Sequence, residues 1–172
     1  MTRLIEDIIS LSHLDENAHG MKRETVDLYA VSENVLKNLD VAAQAMEVEL
    51  SLSGGKTEIE GIPELLEAIV FNLCDNAVKY NRKGGKVNVS VTKTANEAVL
   101  SVRDTGIGIS PEQFERVFER FYRVDKSHSK EVGGTGLGLS IVKHAAKIHG
   151  AKIEIESEIG EGTTMVVRFS VC

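Results

Sequence analysis

Apolar residues open the chain at Met1, Leu4, Ile8 and Leu11, with Ile5 beside them. That spacing lays one stripe along a helix and matches the a/d seam of a coiled coil. Two readings fit residues 1–15: a helix docked on its own domain, or the end of a longer dimer-forming helix. Asn17 to Gly20 reads as a helix stop and linker. Residues 24–28 then read as a short strand. Residues 29–46 read as a helix with Val31, Val35, Leu36, Leu39 and Ala42 turned inward. Val48, Leu50 and Leu52 alternate as a strand does, Gly54-Gly55 turns it, and Ile59 begins another short strand before Gly61. Pro63 suits a first helical turn; this helix runs to about residue 80 and buries Leu65, Leu66, Ile69, Val70, Leu73 and Ala77. Residues 82–86 read as a polar hairpin turn. Val87, Val89 and Val91, then Ala98, Leu100 and Val102, mark two antiparallel strands. Residues 104–136 are Gly-rich and weakly periodic, with short helical pieces such as 111–116; so long an irregular stretch usually carries function. A helix over 138–149 is ended by Gly150. Two strands follow, near 151–157 and 163–171, joined by Gly160-Glu161-Gly162. The order predicts an α/β (α+β) two-layer sandwich: one mixed, mostly antiparallel five-stranded sheet with three main helices on one face.

Composition changes this picture little. At 172 residues, 42 % hydrophobic and 27 % charged, the chain reads as one globular domain rather than a disordered or low-complexity segment. The net charge of −6 disfavours general nucleic-acid binding, while leaving room for a local basic pocket for one nucleotide. Cys74 and Cys172 form no CxxC pair, which predicts free thiols in a reducing compartment and no zinc site. No apolar run approaches the roughly 18 residues of a membrane helix, and no signal peptide opens the chain. The expectation is a soluble, cytosol-like piece.

Three segments carry candidate chemistry. Asn72, Asn76, Lys79 and Tyr80 share one helix face opposite an apolar one. Amide oxygens suit Mg²⁺, a lysine meets phosphate and a tyrosine ring stacks on a base; a solvated amphipathic face explains the same pattern. Asp104-Thr105-Gly106-Ile107-Gly108 follows a strand. Its carboxylate can accept from an exocyclic amine and its glycines admit a flat ligand, although a plain turn fits too. Gly133-Gly134-Thr135-Gly136-Leu137-Gly138-Leu139 opens a helix, where free N–H groups make an anion site. It is neither GxGxxG nor a Walker loop, so a nucleotide site of another kind remains. Asp75 reads as a surface carboxylate, or else as a second acid near a metal. Cys74 reads as a core thiol.

In this order the three segments resemble the N, G1 and G2 boxes of the GHKL ATP-binding fold. Phe118-Glu119-Arg120-Phe121-Tyr122-Arg123 between them resembles the F box of sensor histidine kinases, and Thr163-Thr164 after Gly160 and Gly162 resembles the closing strand. The resemblance implies that residues 1–19 are the end of the second dimerisation helix with its linker, and that residues 20–172 are the ATP-binding catalytic domain. By the same resemblance Asn76 coordinates Mg²⁺ between the ATP phosphates and Asn72 supports it. Lys79 meets phosphate, Tyr80 packs against adenine or ribose, and Asp104 binds the adenine amino group with Gly106 and Gly108 making room. Thr164 reaches the same base edge. The backbone of Gly134, Thr135, Gly136, Leu137, Gly138 and Leu139 holds the phosphates. Residues 109–132 form a flexible ATP lid anchored by Phe118 and Phe121, and Arg123 stabilises the transferring γ-phosphoryl charge.

The implied reaction is phosphoryl transfer from ATP to a histidine ring nitrogen. None of His13, His19, His128, His144 and His149 lies in the family's acceptor motif, so the acceptor is expected elsewhere and the chain is not expected to autophosphorylate alone. The implied partners are the protein's own dimerisation and histidine-phosphotransfer domain and a response-regulator receiver. The implied parent is a homodimer in the cell membrane with this domain on the cytoplasmic side, the isolated piece being monomeric. Three other readings compete. An autonomous ATPase and an anti-sigma serine kinase of the same fold place a glutamate where Asn72 stands, and an amide is no general base. A silent nucleotide-binding module would not need the intact set of Asn76, Lys79, Asp104 and the G2 glycines.

Overall fold

The structure is a computed structural model that describes residues 21–123 and 134–171. The stripe of residues 1–15, the linker, His13, His19, His128, Cys172 and residues 124–133 of the expected lid lie outside the described residues.

In chain order the elements are β1 (Glu24–Asp27), α1 (Leu28–Ala45), β2 (Glu49–Gly54), β3 (Glu58–Gly61), α2 (Pro63–Lys79), β4 (Lys86–Lys93), β5 (Glu97–Asp104), α3 (Gly138–Ile148), β6 (Lys152–Glu158) and β7 (Gly162–Ser170). Two short 3₁₀ turns, Pro111–Gln113 and Arg116–Phe118, punctuate the irregular segment. The main sheet runs β2-β4-β5-β7-β6, and β1 pairs with β3 in a separate antiparallel ribbon. Among the described strands only β2 and β4 pair in parallel. This is the expected mixed, mostly antiparallel five-stranded sheet.

Alternation decides which face is covered. Val87, Val89 and Val91 of β4, Ala98, Leu100 and Val102 of β5, and Met165, Val167 and Phe169 of β7 are all buried. They meet Leu66, Ile69, Val70 and Leu73 of α2 and Ile141, Val142 and Ala145 of α3 in one core. α2 packs between α1 and α3, so the three helices form the second layer. β6 is an edge strand whose outward residues Lys152, Glu154, Glu156 and Glu158 are exposed charges, which protects the edge from further pairing.

Two sequence expectations change here. Residues 82–86 are not a hairpin turn: they join α2 to β4, which runs parallel to β2, and Gly85 O accepts from Glu49 N at the start of β2. Ala42 is exposed and Ala43 buried, because the inward stripe of α1 runs Leu28, Ser32, Val35, Leu36, Leu39, Ala43. Cys74 lies wholly inside the core, where burial pushes its thiol up to about 12, so it stays protonated and inert.

α2 has Pro63 in its first turn and no side-chain cap at Ile62. The missing partner comes from the end of α3. His149 Nε2 accepts from Ile62 N at 2.9 Å, and its Nδ1 bonds Ala145 O at 2.7 Å, which fixes the neutral Nδ1–H tautomer. Burial pushes the His149 pKa below the ordinary histidine value; the bond to Ala145 opposes this and the Arg23 charge adds to it. The unfolded chain therefore takes up a proton near pH 6.5 that the folded chain refuses until lower pH. That contribution is present above about pH 6.5 and is lost as pH falls through the folded value. The difference in melting temperature between wild type and His149→Ala should shrink from pH 7.5 to pH 5 by calorimetry; a constant difference contradicts this.

Candidate functional site

α2 buries one face and turns Ala68, Asn72, Asp75, Asn76 and Lys79 into a cavity of about 420 Å³. The opposite walls are the first turn of α3, the ends of β5 and β7, and the irregular segment after β5. Of the residues singled out in the sequence, Asn72, Asn76, Lys79 and Tyr80 line the cavity from α2 and its cap. Asp104 lines it from the end of β5 and Gly108 from the segment beyond. Arg123, Gly134, Thr135, Gly136, Gly138 and Leu139 complete it. The solvated-face reading of the α2 segment is thereby set aside, since Asn72, Asn76 and Lys79 are partly buried and line one cavity with Tyr80 at its rim.

Asp104 ends β5 with its Oδ1 already committed: it accepts from Gly106 N at 2.8 Å and Thr163 N at 3.2 Å. Its Oδ2 receives no bond among the described residues. Burial pushes the carboxyl up from its ordinary value, while the two backbone N–H groups oppose that shift. The result is a half-buried acceptor facing an apolar wall that includes Val102, Ile141 and Met165.

At the other end, Asn72 donates from Nδ2 to Ala68 O at 2.8 Å. Its Oδ1 lies 2.8 Å from the point where a Cβ at Gly138 would stand, so glycine is what lets α3 begin so close to α2. Gly138 and Leu139 in the first turn of α3 line this end, and a helix N-terminus favours negative charge. Tyr80 Oη and Arg123 Nη2 lie 3.4 and 3.9 Å from a Cβ position at Gly134, bringing both tips over the same loop. Lys79 Nζ pairs with Asp75 Oδ2 at 2.5 Å, with both side chains mostly shielded. Asp75 is therefore a wall of the cavity rather than a surface carboxylate.

Four expected positions fall elsewhere. Thr164 lies on the opposite face of β7, beside Arg103 and Glu156, and it is Thr163 that lines the cavity. Leu137 does not line the cavity: its side chain is fully buried, and its N–H is directed at Thr135 Oγ1 at 3.4 Å. Gly106 does not line the cavity; a Cβ there would stand 2.2 Å from Tyr80 O, so it serves the close packing of the turn. Phe118 packs against the core as an anchor would, but Phe121 is 61 % exposed, and it holds the segment through its backbone, Phe121 N to Gly136 O at 2.9 Å.

The structure also brings in residues that the sequence did not mark. Asn81 is buried; it donates to Ala77 O and Lys86 O and accepts from Arg82 N, locking the end of α2 to β4. Ser157 sits behind Thr163. A polar residue continuing the inward series Ile153, Ile155 was the available signal for it.

The donor set suits a divalent cation held jointly with a ligand. Asn76 offers a side-chain amide that makes no hydrogen bond among the described residues. No group of three His, Cys, Asp or Glu is clustered among those residues, so an ion here needs ligand oxygens as well, the arrangement Mg²⁺ favours. No helix among the described residues is long and apolar enough to cross a membrane.

Residues 61–171 match the family described as histidine kinase-, DNA gyrase B-, and HSP90-like ATPase. Over 99 % of its length the chain is 34 % identical to sensor histidine kinase RppB of Synechocystis, covering 38 % of that protein. Over 96 % it is 34 % identical to sensor histidine kinase WalK of Bacillus subtilis, covering 28 % of that protein. The chain thus spans well under half the length of these curated relatives. Among solved structures, full-length ShkA in complex with AMPPNP superposes with a TM-score of 0.84 at 25 % identity, over 99 % of this chain and 36 % of that one.

Proposed function

Because the chain belongs to the histidine kinase-, DNA gyrase B-, and HSP90-like ATPase family, we propose that its cavity holds Mg²⁺ and ATP and presents the γ-phosphoryl group to a histidine supplied from outside the catalytic domain. The observation that carries this reading is the convergence of Asp104 at one end of the cavity and Asn72, Asn76, Lys79 and the α3 N-terminus at the other. The AMPPNP bound by ShkA supports a nucleotide in the same kind of fold.

Asp104 accepts from the adenine amino group, with Thr163 beside it and Gly108 on the same wall, where its missing Cβ leaves room for the backbone of Glu158. Tyr80 covers the base or ribose. Lys79, the backbone of Gly134, Thr135, Gly136 and Gly138, and the first N–H groups of α3, with Leu139 beside them, hold the phosphates. Asn76 would give its amide oxygen to Mg²⁺ with Asn72 in support, and the bound ion would supply neutralisation of phosphate charge. Arg123 stabilises the charge that develops on the transferring group. Most of the catalytic work is positioning and electrostatics, and the acceptor imidazole must arrive neutral. The acceptor belongs to a dimerisation and phosphotransfer domain of the longer protein, with residues 1–19 as the end of its second helix. From there the phosphoryl group passes to a receiver aspartate. A homodimeric, membrane-anchored parent with this domain in the cytoplasm completes the reading.

Asn72 separates this from an autonomous ATPase. Its amide is no base, and one of its two Nδ2 protons is already given to Ala68 O. Calorimetric titration with Mg²⁺ and ATP, with free phosphate followed in the same samples, tests both. Wild type should bind without steady hydrolysis, and Asn76→Ala should lose the Mg²⁺-dependent part of the affinity while still binding adenosine. Steady turnover without an added histidine acceptor would move the assignment to an ATPase.

A further inference from the structure

Ser157 of β6 stands directly across from Thr163 of β7. Its hydroxyl touches three groups at once: Ile109 N, Gly162 O and Thr163 Oγ1, each at 2.8 Å. A hydroxyl has one proton to give and two lone pairs to receive with. Ile109 N–H can only donate, so it uses one lone pair. Gly162 O can only accept, so it takes the Ser157 proton. The bond to Thr163 must then run the other way, with the Thr163 O–H donating to Ser157. This assignment satisfies all three contacts, whereas the reverse would set two bare oxygens 2.8 Å apart.

We infer that Ser157 is a specificity-determining positioning residue: it holds the Thr163 hydroxyl as an acceptor, so that Asp104 and Thr163 together accept hydrogen bonds and give none, selecting a 6-amino over a 6-oxo purine. The inference rests on the reading of the cavity as a nucleotide site. Thr163 lines that cavity beside Asp104, its own N–H is spent on Asp104 Oδ1, and its O–H is spent on Ser157. Asp104 when ionised is likewise acceptor-only. An exocyclic amino group carries two N–H donors, one for each acceptor. A 6-oxo group brings only lone pairs against them. Without the Ser157 hydroxyl, the Thr163 proton is free to rotate into the cavity and the discrimination relaxes. The same hydroxyl ties down Ile109, so the start of the irregular segment and the base-reading group share one anchor.

The test is calorimetric titration of the full chain with ATP and with inosine triphosphate, which carries an oxo group at the 6-position and a proton on N1 where adenine carries an amino group and a bare N1. Wild type should prefer ATP by tenfold or more. Ser157→Ala should lower that ratio by about tenfold, mainly through tighter inosine triphosphate binding, while Ser157→Thr, which keeps the hydroxyl, restores it. Thr163→Val removes the acceptor while leaving Ser157 in place and should lower the ratio as well, which keeps the inference testable if Ser157→Ala fails to fold. A folded Ser157→Ala or Thr163→Val with the wild-type ratio overturns the inference and leaves the nucleotide reading standing. A wild type that binds neither nucleotide overturns both.

Discussion

Asp104→Asn is expected to weaken adenine-nucleotide binding by about a hundredfold, with the fold intact. A hydrogen bond to a charged group contributes about 1.5–3 kcal/mol. The substitution removes the charge and also turns an amide N–H₂ toward the donors of an exocyclic amine. Asparagine keeps an Oδ1 that still accepts from Gly106 N and Thr163 N, so the turn after β5 survives. The sign of the pH effect follows from the raised pKa. Between the ordinary carboxyl value of 3.8 and the raised one, the folded chain binds the extra proton, so ionising Asp104 costs stability as pH rises through that window. Near neutrality the ligand-free variant should therefore melt no lower than wild type. The nucleotide prefers the ionised form, so wild-type affinity should fall as pH falls through the same window. Calorimetry on both proteins checks these outcomes; a variant that melts well below wild type but binds normally would assign Asp104 a structural role only.

Gly162→Ala is the second large effect. Gly162 has φ +113°, a conformation side chains rarely adopt, and an added Cβ would lie 2.1 Å from Asp104 O. Backbone strain of this kind costs on the order of 3 kcal/mol, which for a domain of this size lowers the melting temperature by roughly 6–12 °C. The clash is with backbone, so relief requires β5 and β7 to part where Asp104 and Thr163 meet. Nucleotide affinity should fall together with stability. Gly55→Ala is the control: its Cβ meets nothing within 4 Å and its φ is unexceptional, so its melting temperature should stay close to wild type. Equal melting temperatures for the two variants would contradict the strain argument.

Most of the layer architecture is written in local periodicity. Val87, Val89 and Val91 can cover only one face of a strand, and Leu66, Ile69, Val70 and Leu73 only one face of a helix. Pairing partners are another matter. The parallel match of β2 with β4 leaves no local mark, so the connection at residues 82–86 looks like a hairpin until the sheet order is known. In a strand, one residue of register exchanges the faces, and for this reason Thr163 rather than Thr164 reaches the cavity. On α1 the stripe drifts by a similar margin between Ala42 and Ala43. The polar set Asn72, Asn76, Lys79 and Asp104 was legible because its spacing and order are distinctive. Asp75 and Ser157 were not, since their roles depend on what Lys79 and Thr163 do in three dimensions.

The place of β7 in the sheet has a consequence for synthesis. It is the last strand of the sheet to leave the ribosome, yet it lies in the interior, between β5 and β6. Until Gly162–Ser170 emerges, β5 exposes an unpaired edge and β6 has no neighbour at all. Domain folding must therefore wait for almost the whole segment, and the nascent chain needs protection from edge-to-edge association during that interval. A transcript cut short by even a dozen codons before residue 170 would yield a chain with neither a continuous five-stranded sheet nor the β7 wall of the cavity, and quality control would meet it as an unfolded polypeptide.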